Sequence, residues 1–269
     1  MSRELIDDLG EPVTLAGPPT RVVSLVPSIT EAVAVSVPGV LVGATDYCSH
    51  PPELDVARVG GSKYPTLDSV RAATPDLVLA NAEENRPEDV AALRADGIPV
   101  WVTEAAATVP AALTSIGRLL GEVFELTGDR QPSWLVQAVA EWAEAAPPVL
   151  ATAIVPVWRR PWVLLGRDTF AGDVLRRLGV ANAYAEHADR YPRPKLDELR
   201  GLLDSGRAGL VVLPDEPYLF TPDDGPESFP GTPCAFVTGR LLTWCGPSLA
   251  GARQTLADQL GQAVRALTR

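Results

Sequence analysis

The chain has 269 residues, 46% of them hydrophobic and 21% charged, and its 34 acidic against 23 basic side chains leave a formal charge of −11. This is a globular composition, which excludes wholesale disorder, and its acidic balance argues against a protein that tracks nucleic-acid phosphates. No run of about 18 apolar residues is present to cross a bilayer as a helix, and three cysteines without a Cys-x-x-Cys pair argue against a disulfide framework.

Residues 1–10, MSRELIDDLG, lack the charged start, apolar core and small-residue cleavage site of a secretory signal, so the sequence as written reads as cytoplasmic. Residues 11–15 predict a short edge strand, stopped by Gly17-Pro18-Pro19. Residues 21–26, RVVSLV, predict a buried strand, and Ser28-x-x-Glu31 has the spacing of a capping box that opens a helix. A second strand covers 40–43, and a polar aromatic loop covers 45–52. The pattern continues with a helix over 67–73, a strand over 77–80, a helix over 87–95 with proline in its first turn, a stop at Gly97 and a strand over 98–102. Such alternation predicts a parallel α/β sheet.

The periodicity then changes. Residues 109–126 and 132–146 carry helical patterns with no strand between them, and Pro147-Pro148 closes the second. Alternation resumes with strands over 149–157 and 162–165, helices over 171–178 and 196–203, strands over 210–213 and 235–238, and a final helix over 249–267. The two α/β parts echo each other. Thr66-Leu67-Asp68-Ser69-Val70-Arg71 runs into the strand from Asp76, as Lys195-Leu196-Asp197-Glu198-Leu199-Arg200 runs into the strand from Gly209. The expected organisation is therefore α/β: an N-terminal lobe over 1–128, a connecting helix over 129–147 and a C-terminal lobe over 148–269. A cleft between lobes is a common place for a small ligand.

The chain has no P-loop, no Gly-x-Gly-x-x-Gly after a strand, no His-Glu-x-x-His and no Gly-x-Ser-x-Gly elbow. A histidine base would have to be His50 or His187; His50 reads as a turn residue before two prolines and His187 as a solvated one. Cys48 and His50 with a distant cysteine would make a metal site only without local ligand spacing. The loops are more informative. Tyr47, Tyr64, Trp162, Tyr191, Tyr218 and Trp244 stand at predicted strand ends or in loops. Each could pack over its own core, but several together could line a cleft with flat surfaces of low entropy cost.

Four N-terminal stretches carry a specific resemblance: RVVSLVPSITEAV over 21–33, VGATDYCSHPPE over 42–53, VGGSKYPTLDSVRAATPDLVLA over 59–80 and GIPVW over 97–101. Four more follow in the second half: WRRPWVLLGRDTFAGDVLRRLGV over 158–180, RYPRPKLDEL over 190–199, LVVLPDEPY over 210–218 and LLTWCGPS over 241–248. In this order they resemble the iron-siderophore/cobalamin class of substrate-binding proteins of ABC importers, nearest its cobalamin branch. The resemblance implies two α/β lobes with mainly parallel sheets joined by one long interlobe helix, here 132–146. It implies a non-enzymatic receptor with no intrinsic cofactor, which holds a metal chelate such as a corrinoid in the interlobe cleft. Tyr47, Trp162, Tyr191 and Trp244 fall at its ligand-contacting positions, although Trp244 stands where the cobalamin receptor has a polar residue. Glu88 and either Asp197 or Glu198 match acids that dock to the permease, although a helix dipole alone also favours acids there.

The resemblance further implies an ABC permease and ATPase as partners, an extracytoplasmic location and a monomer. Three alternatives stand beside this. A ferric siderophore or haem receptor would recruit arginines such as Arg159, Arg160 and Arg167. A cytoplasmic relative could reuse the fold for metal handling or catalysis, with Cys48 and His50 as reactive groups. A partner protein could keep an empty cleft.

Overall fold

The computed structural model describes residues 2–267. The chain divides into two compact units. Unit 1 takes the chain to Ala105 together with Ala112–Gln137 and Cys245–Pro247. Unit 2 takes Ala106–Ala111, Ala138–Trp244 and the chain from Ser248 onward.

Unit 1 opens with a hairpin of β1 (Arg3–Ile6) and β2 (Pro12–Leu15), paired antiparallel. Then come β3 (Val22–Ser24), α1 (Pro27–Ser36), β4 (Leu41–Ala44), β5 (Ala57–Arg58), α2 (Leu67–Ala72), β6 (Leu77–Asn81), α3 (Pro87–Ala95) and β7 (Val100–Thr103). The five strands β3 to β7 form one parallel sheet in the order β5-β4-β3-β6-β7. Strands β3 and β6 lie inside it, which is why Leu77, Val78, Leu79 and Ala80 form an unbroken apolar run: both faces are buried. Val70 and Leu93 pack onto this core from α2 and α3.

The turn after β1 fastens the hairpin to the sheet through two adjacent carboxylates. Asp7 is buried and accepts from the backbone N–H groups of Leu9 and Glu11 at 2.9 Å and from Arg94 at 2.7 Å. Asp8 accepts from Arg118 at 2.6 Å and from the Ser115 hydroxyl. Arg118 lies on α4 (Val109–Arg118), which passes into a wider π-helical turn over Leu119–Val123. The predicted helix over 109–126 thus changes winding at Leu119 and stops three residues early. The next helix, α5 (Ser133–Trp142), ends short of residue 146 because the Arg177 guanidinium takes the carbonyls of Trp142 and Glu144 at 2.9 and 3.2 Å.

Unit 2 continues with β8 (Ala151–Ile154), β9 (Pro156–Trp158), β10 (Val163–Leu164), α6 (Phe170–Arg177), β11 (Val180–Asn182) and α7 (Leu196–Asp204). It ends with β12 (Leu210–Pro214), β13 (Cys234–Val237), α8 (Gly239–Thr243) and α9 (Ala252–Ala266). Its parallel sheet has the order β11-β8-β12-β13, and β9 and β10 pair antiparallel beside it. The strand expected over 149–157 is therefore two strands, and Val155 separates a sheet member from a hairpin member.

The capping box is overturned. Pro27 occupies the first helical position of α1, Val26 is the N-cap, and no side chain caps it. Pro27 supplies the φ that the helix start needs, which moves Ser28 and Glu31 inside the helix, where Glu31 is buried. The two parallel sheets with their covering helices make the α/β class expected from the alternation.

Candidate functional site

In parallel sheets of this kind, ligands meet the loops at the carboxyl ends of the strands. In unit 1 those loops follow β4 and β6. After β4, Arg58 donates to the carbonyls of Thr45 and Cys48 at 3.0 and 2.9 Å, and the Asp46 N–H donates to Gly60 at 2.8 Å. This frame leaves the Tyr47 ring outside, 68% exposed. A Cβ on Gly61 would meet that ring in ordinary van der Waals contact at 3.5 Å. Tyr64 is 69% exposed, and the Arg86 guanidinium covers one face of its ring at 4.8 Å. Arg86 is itself held by Asp89 at 2.7 Å.

After β6, the Asn81 side chain accepts from the N–H groups of Glu83 and Glu84, and Asn85 donates to Ser62 at 2.9 Å. The half-buried Glu84 carboxyl is pushed up to about 7, first by burial and then by the charge of Glu83. Cys48 is fully buried between the hydroxyls of Thr30 and Thr45 at 3.0 and 3.1 Å, and burial raises its thiol. Raised and covered, it is a poor nucleophile. His50 meets its neighbour Ser49 at 3.1 Å. Among the described residues, no group of three or more His, Cys, Asp or Glu is arranged to hold a metal ion.

In unit 2 the aromatics are placed differently. Trp162, just before β10, stacks on Phe220 with 6.2 Å between centroids and 5° between planes, and it also meets Phe229 at 5.4 Å. It is half-buried at the edge of the unit's core. Arg159 lies 5.3 Å from the Trp162 ring and is ion-paired with Asp224 and Glu227. Trp244, at the end of α8, is buried, with the Arg240 guanidinium 6.0 Å from its ring. Tyr191 is 39% exposed and borders a hollow of about 430 Å³ with His187, Asp189, Arg193 and Glu198. Of the four predicted walls, then, two are exposed, one is half-buried in a ring cluster and one is buried.

The acids separate as well. Glu88, in the first turn of α3, is exposed and 3.4 Å from Arg86. Asp197 and Glu198 share the first turn of α7 and are both exposed; Glu198 also accepts from the buried Tyr184 hydroxyl at 2.9 Å. Burial, and then that bond, raises the Tyr184 phenol. Asp68 likewise stands in the first turn of α2 with a side chain 92% exposed. The internal echo of the sequence pairs it with Asp197.

Curated relatives found by sequence include the vitamin B12-binding protein of Vibrio cholerae, 31% identical over 86 residues, which are 31% of this chain and 31% of that protein. The matched stretch thus spans about a third of the curated relatives' length. Among solved structures, the periplasmic haem-binding protein RhuT from Roseiflexus sp. RS-1 has a TM-score of 0.70 at 20% identity, covering 91% of this chain and 98% of that one. The periplasmic vitamin B12-binding protein BtuF of Vibrio cholerae has a TM-score of 0.68 at 18% identity over the same shares. Identities this low establish the fold alone. The sequence pattern of the family described as periplasmic binding protein matches residues 22–200, which is most of the chain, and the protein belongs to that family of ABC-importer substrate-binding proteins.

Proposed function

We propose that the protein is the extracytoplasmic binding component of an ABC importer for a corrinoid-like metal chelate with little net anionic charge. In this proposal Tyr47, Trp162, Tyr191 and Trp244 contact the chelate, Tyr64 adds a ring beside Tyr47, and no catalysis occurs. The observation that carries it is the ion pairing of Arg159, beside the Trp162 ring, of Arg86, beside the Tyr64 ring, and of Arg167. Arg159 is committed to Asp224 and Glu227, Arg86 to Asp89, and Arg167 to Asp168 at 2.6 Å. Arginines neutralised in this way suit stacking on a flat ligand better than capture of a polyanion. Asp68 or Glu88 from unit 1, and Asp197 or Glu198 from unit 2, would meet basic residues of the permease.

A second reading, a haem or ferric-siderophore receptor, is favoured by one observation. Arg160 and Arg193 are exposed and make no hydrogen bond or ion pair among the described residues. Titration of tryptophan fluorescence with cyanocobalamin, hemin and a ferric catecholate decides between them. Quenching by cyanocobalamin at the lowest concentration supports the proposal; tighter hemin or catecholate binding replaces it with the second reading.

A further inference from the structure

We propose that Gly166 is a positioning residue: by having no side chain, it holds the segment 189–192 against the sheet and thereby fixes Tyr191. Gly166 is buried just past β10. Its N–H donates to the Arg190 carbonyl at 2.7 Å, and the N–H of Leu164 donates to the Pro192 carbonyl at 3.0 Å. These two bonds grip the residues on either side of Tyr191 and leave its ring 39% exposed.

The approach is too close for a Cβ. One added at Gly166 would stand 2.8 Å from Pro192 Cδ and 2.9 Å from the Arg190 carbonyl oxygen, with the Asp189 carbonyl closer still. Nor can Gly166 retreat, because Asn182 donates to its carbonyl and to that of Leu165, both at 3.0 Å. The same Asn182 side chain accepts from the Tyr184 N–H at 3.1 Å, which ties it to the next segment. A methyl group at 166 must therefore displace the Tyr191 segment. On its other flank the segment borders the 430 Å³ hollow toward Glu198, where it has room to move. The effect on ligand affinity rests on the proposed role of Tyr191, whereas the grip on the segment does not.

The test uses the full chain, with Gly166→Ala, Tyr191→Ala and the double variant. Trypsin reports on the grip directly: it can cut after Arg190, whereas Arg193 is followed by proline. Local opening should make cleavage of Gly166→Ala at Arg190 roughly tenfold faster than wild type while far-UV circular dichroism is retained. An unchanged cleavage rate overturns the proposal. For cyanocobalamin, Gly166→Ala should lose on the order of tenfold in affinity, and the double variant should be no weaker than Tyr191→Ala alone, the sign of one shared interaction. Additive losses, or an unaltered affinity where Tyr191→Ala is weakened, overturn it. If wild type binds no cyanocobalamin, the proposed ligand fails while the cleavage result still judges the grip. Should Gly166→Ala fail to fold, hydrogen exchange on wild type decides: the Leu164 and Gly166 amides should be protected as strongly as sheet amides, and rapid exchange overturns the grip.

Discussion

The two units share one four-strand order, to which unit 1 adds β5 outside β4, and dress it differently. In unit 1 the order β4-β3-β6-β7 places the second strand beside the first, then the third and fourth; in unit 2, β11-β8-β12-β13 does the same. In both, a helix with Leu-Asp in its first turn leads into the inner strand, α2 into β6 and α7 into β12. The difference lies after the first strand. Unit 1 goes from β3 straight into α1, whereas unit 2 inserts the β9–β10 hairpin before α6. That hairpin brings Trp158, Arg159 and Trp162 over Tyr218 and Phe220. Unit 1 therefore presents its tyrosines to solvent, while unit 2 turns Trp162 onto its own core and leaves Trp158 45% exposed. A shared topology leaves the carboxyl-end loops free to differ, and it is there that rings become either surface or interior.

This contrast can be broken by substitution. If Trp162 is interior, Trp162→Ala should destabilise the protein by about 3 kcal/mol in urea unfolding, near the low end for a buried aromatic. A loss under about 0.5 kcal/mol would make it a surface ring like Tyr47. Arg159→Met should cost about 2 kcal/mol, less than a fully buried pair because Asp224 and Glu227 keep some water. The same variant should weaken any anionic ligand no more than a neutral one if the guanidinium is already neutralised. Tyr47→Ala should leave unfolding unchanged but weaken cyanocobalamin on the order of tenfold, about 1.4 kcal/mol.

A pH dependence is expected from Glu84 in unit 1. The folded chain keeps the Glu84 proton up to about 7, whereas the unfolded chain releases it near the ordinary 4.5. Unfolding thus releases a proton between these values, and this site's contribution to stability falls as pH rises through the window. Glu84→Gln should raise the Tm by a few degrees near pH 8 and leave it unchanged near pH 4. An equal shift at both pH values would show that the carboxyl titrates normally.

Much of the fold was legible because burial on both faces writes itself as apolar runs: LVLA at β6 and LVVL at β12 need no partner to be recognised. Short elements were not legible. The three residues of β11 and the five of α8 carry no period, and pairing with β8 or packing on α6 decides them. Ser28 and Glu31 had the spacing of a cap but not the neighbour, since a proline one residue earlier had already begun the helix. For the candidate site, residue type and loop position could be read, but exposure could not. Nothing in the sequence distinguishes Tyr47, which stands outside, from Trp162, whose ring partners lie about 60 residues onward at Phe220 and Phe229.

The paired carboxylates of the first turn have a bearing on how this chain can be shortened. Asp7 and Asp8 neutralise Arg94 and Arg118 and hold backbone groups around β7, so the opening fifteen residues work as a rivet through one edge of the sheet. A nick or deletion there would strip Arg94 of Asp7 and leave Arg118 with Glu122 as its carboxylate partner, and the damage would surface beside Val102, not at the cut end.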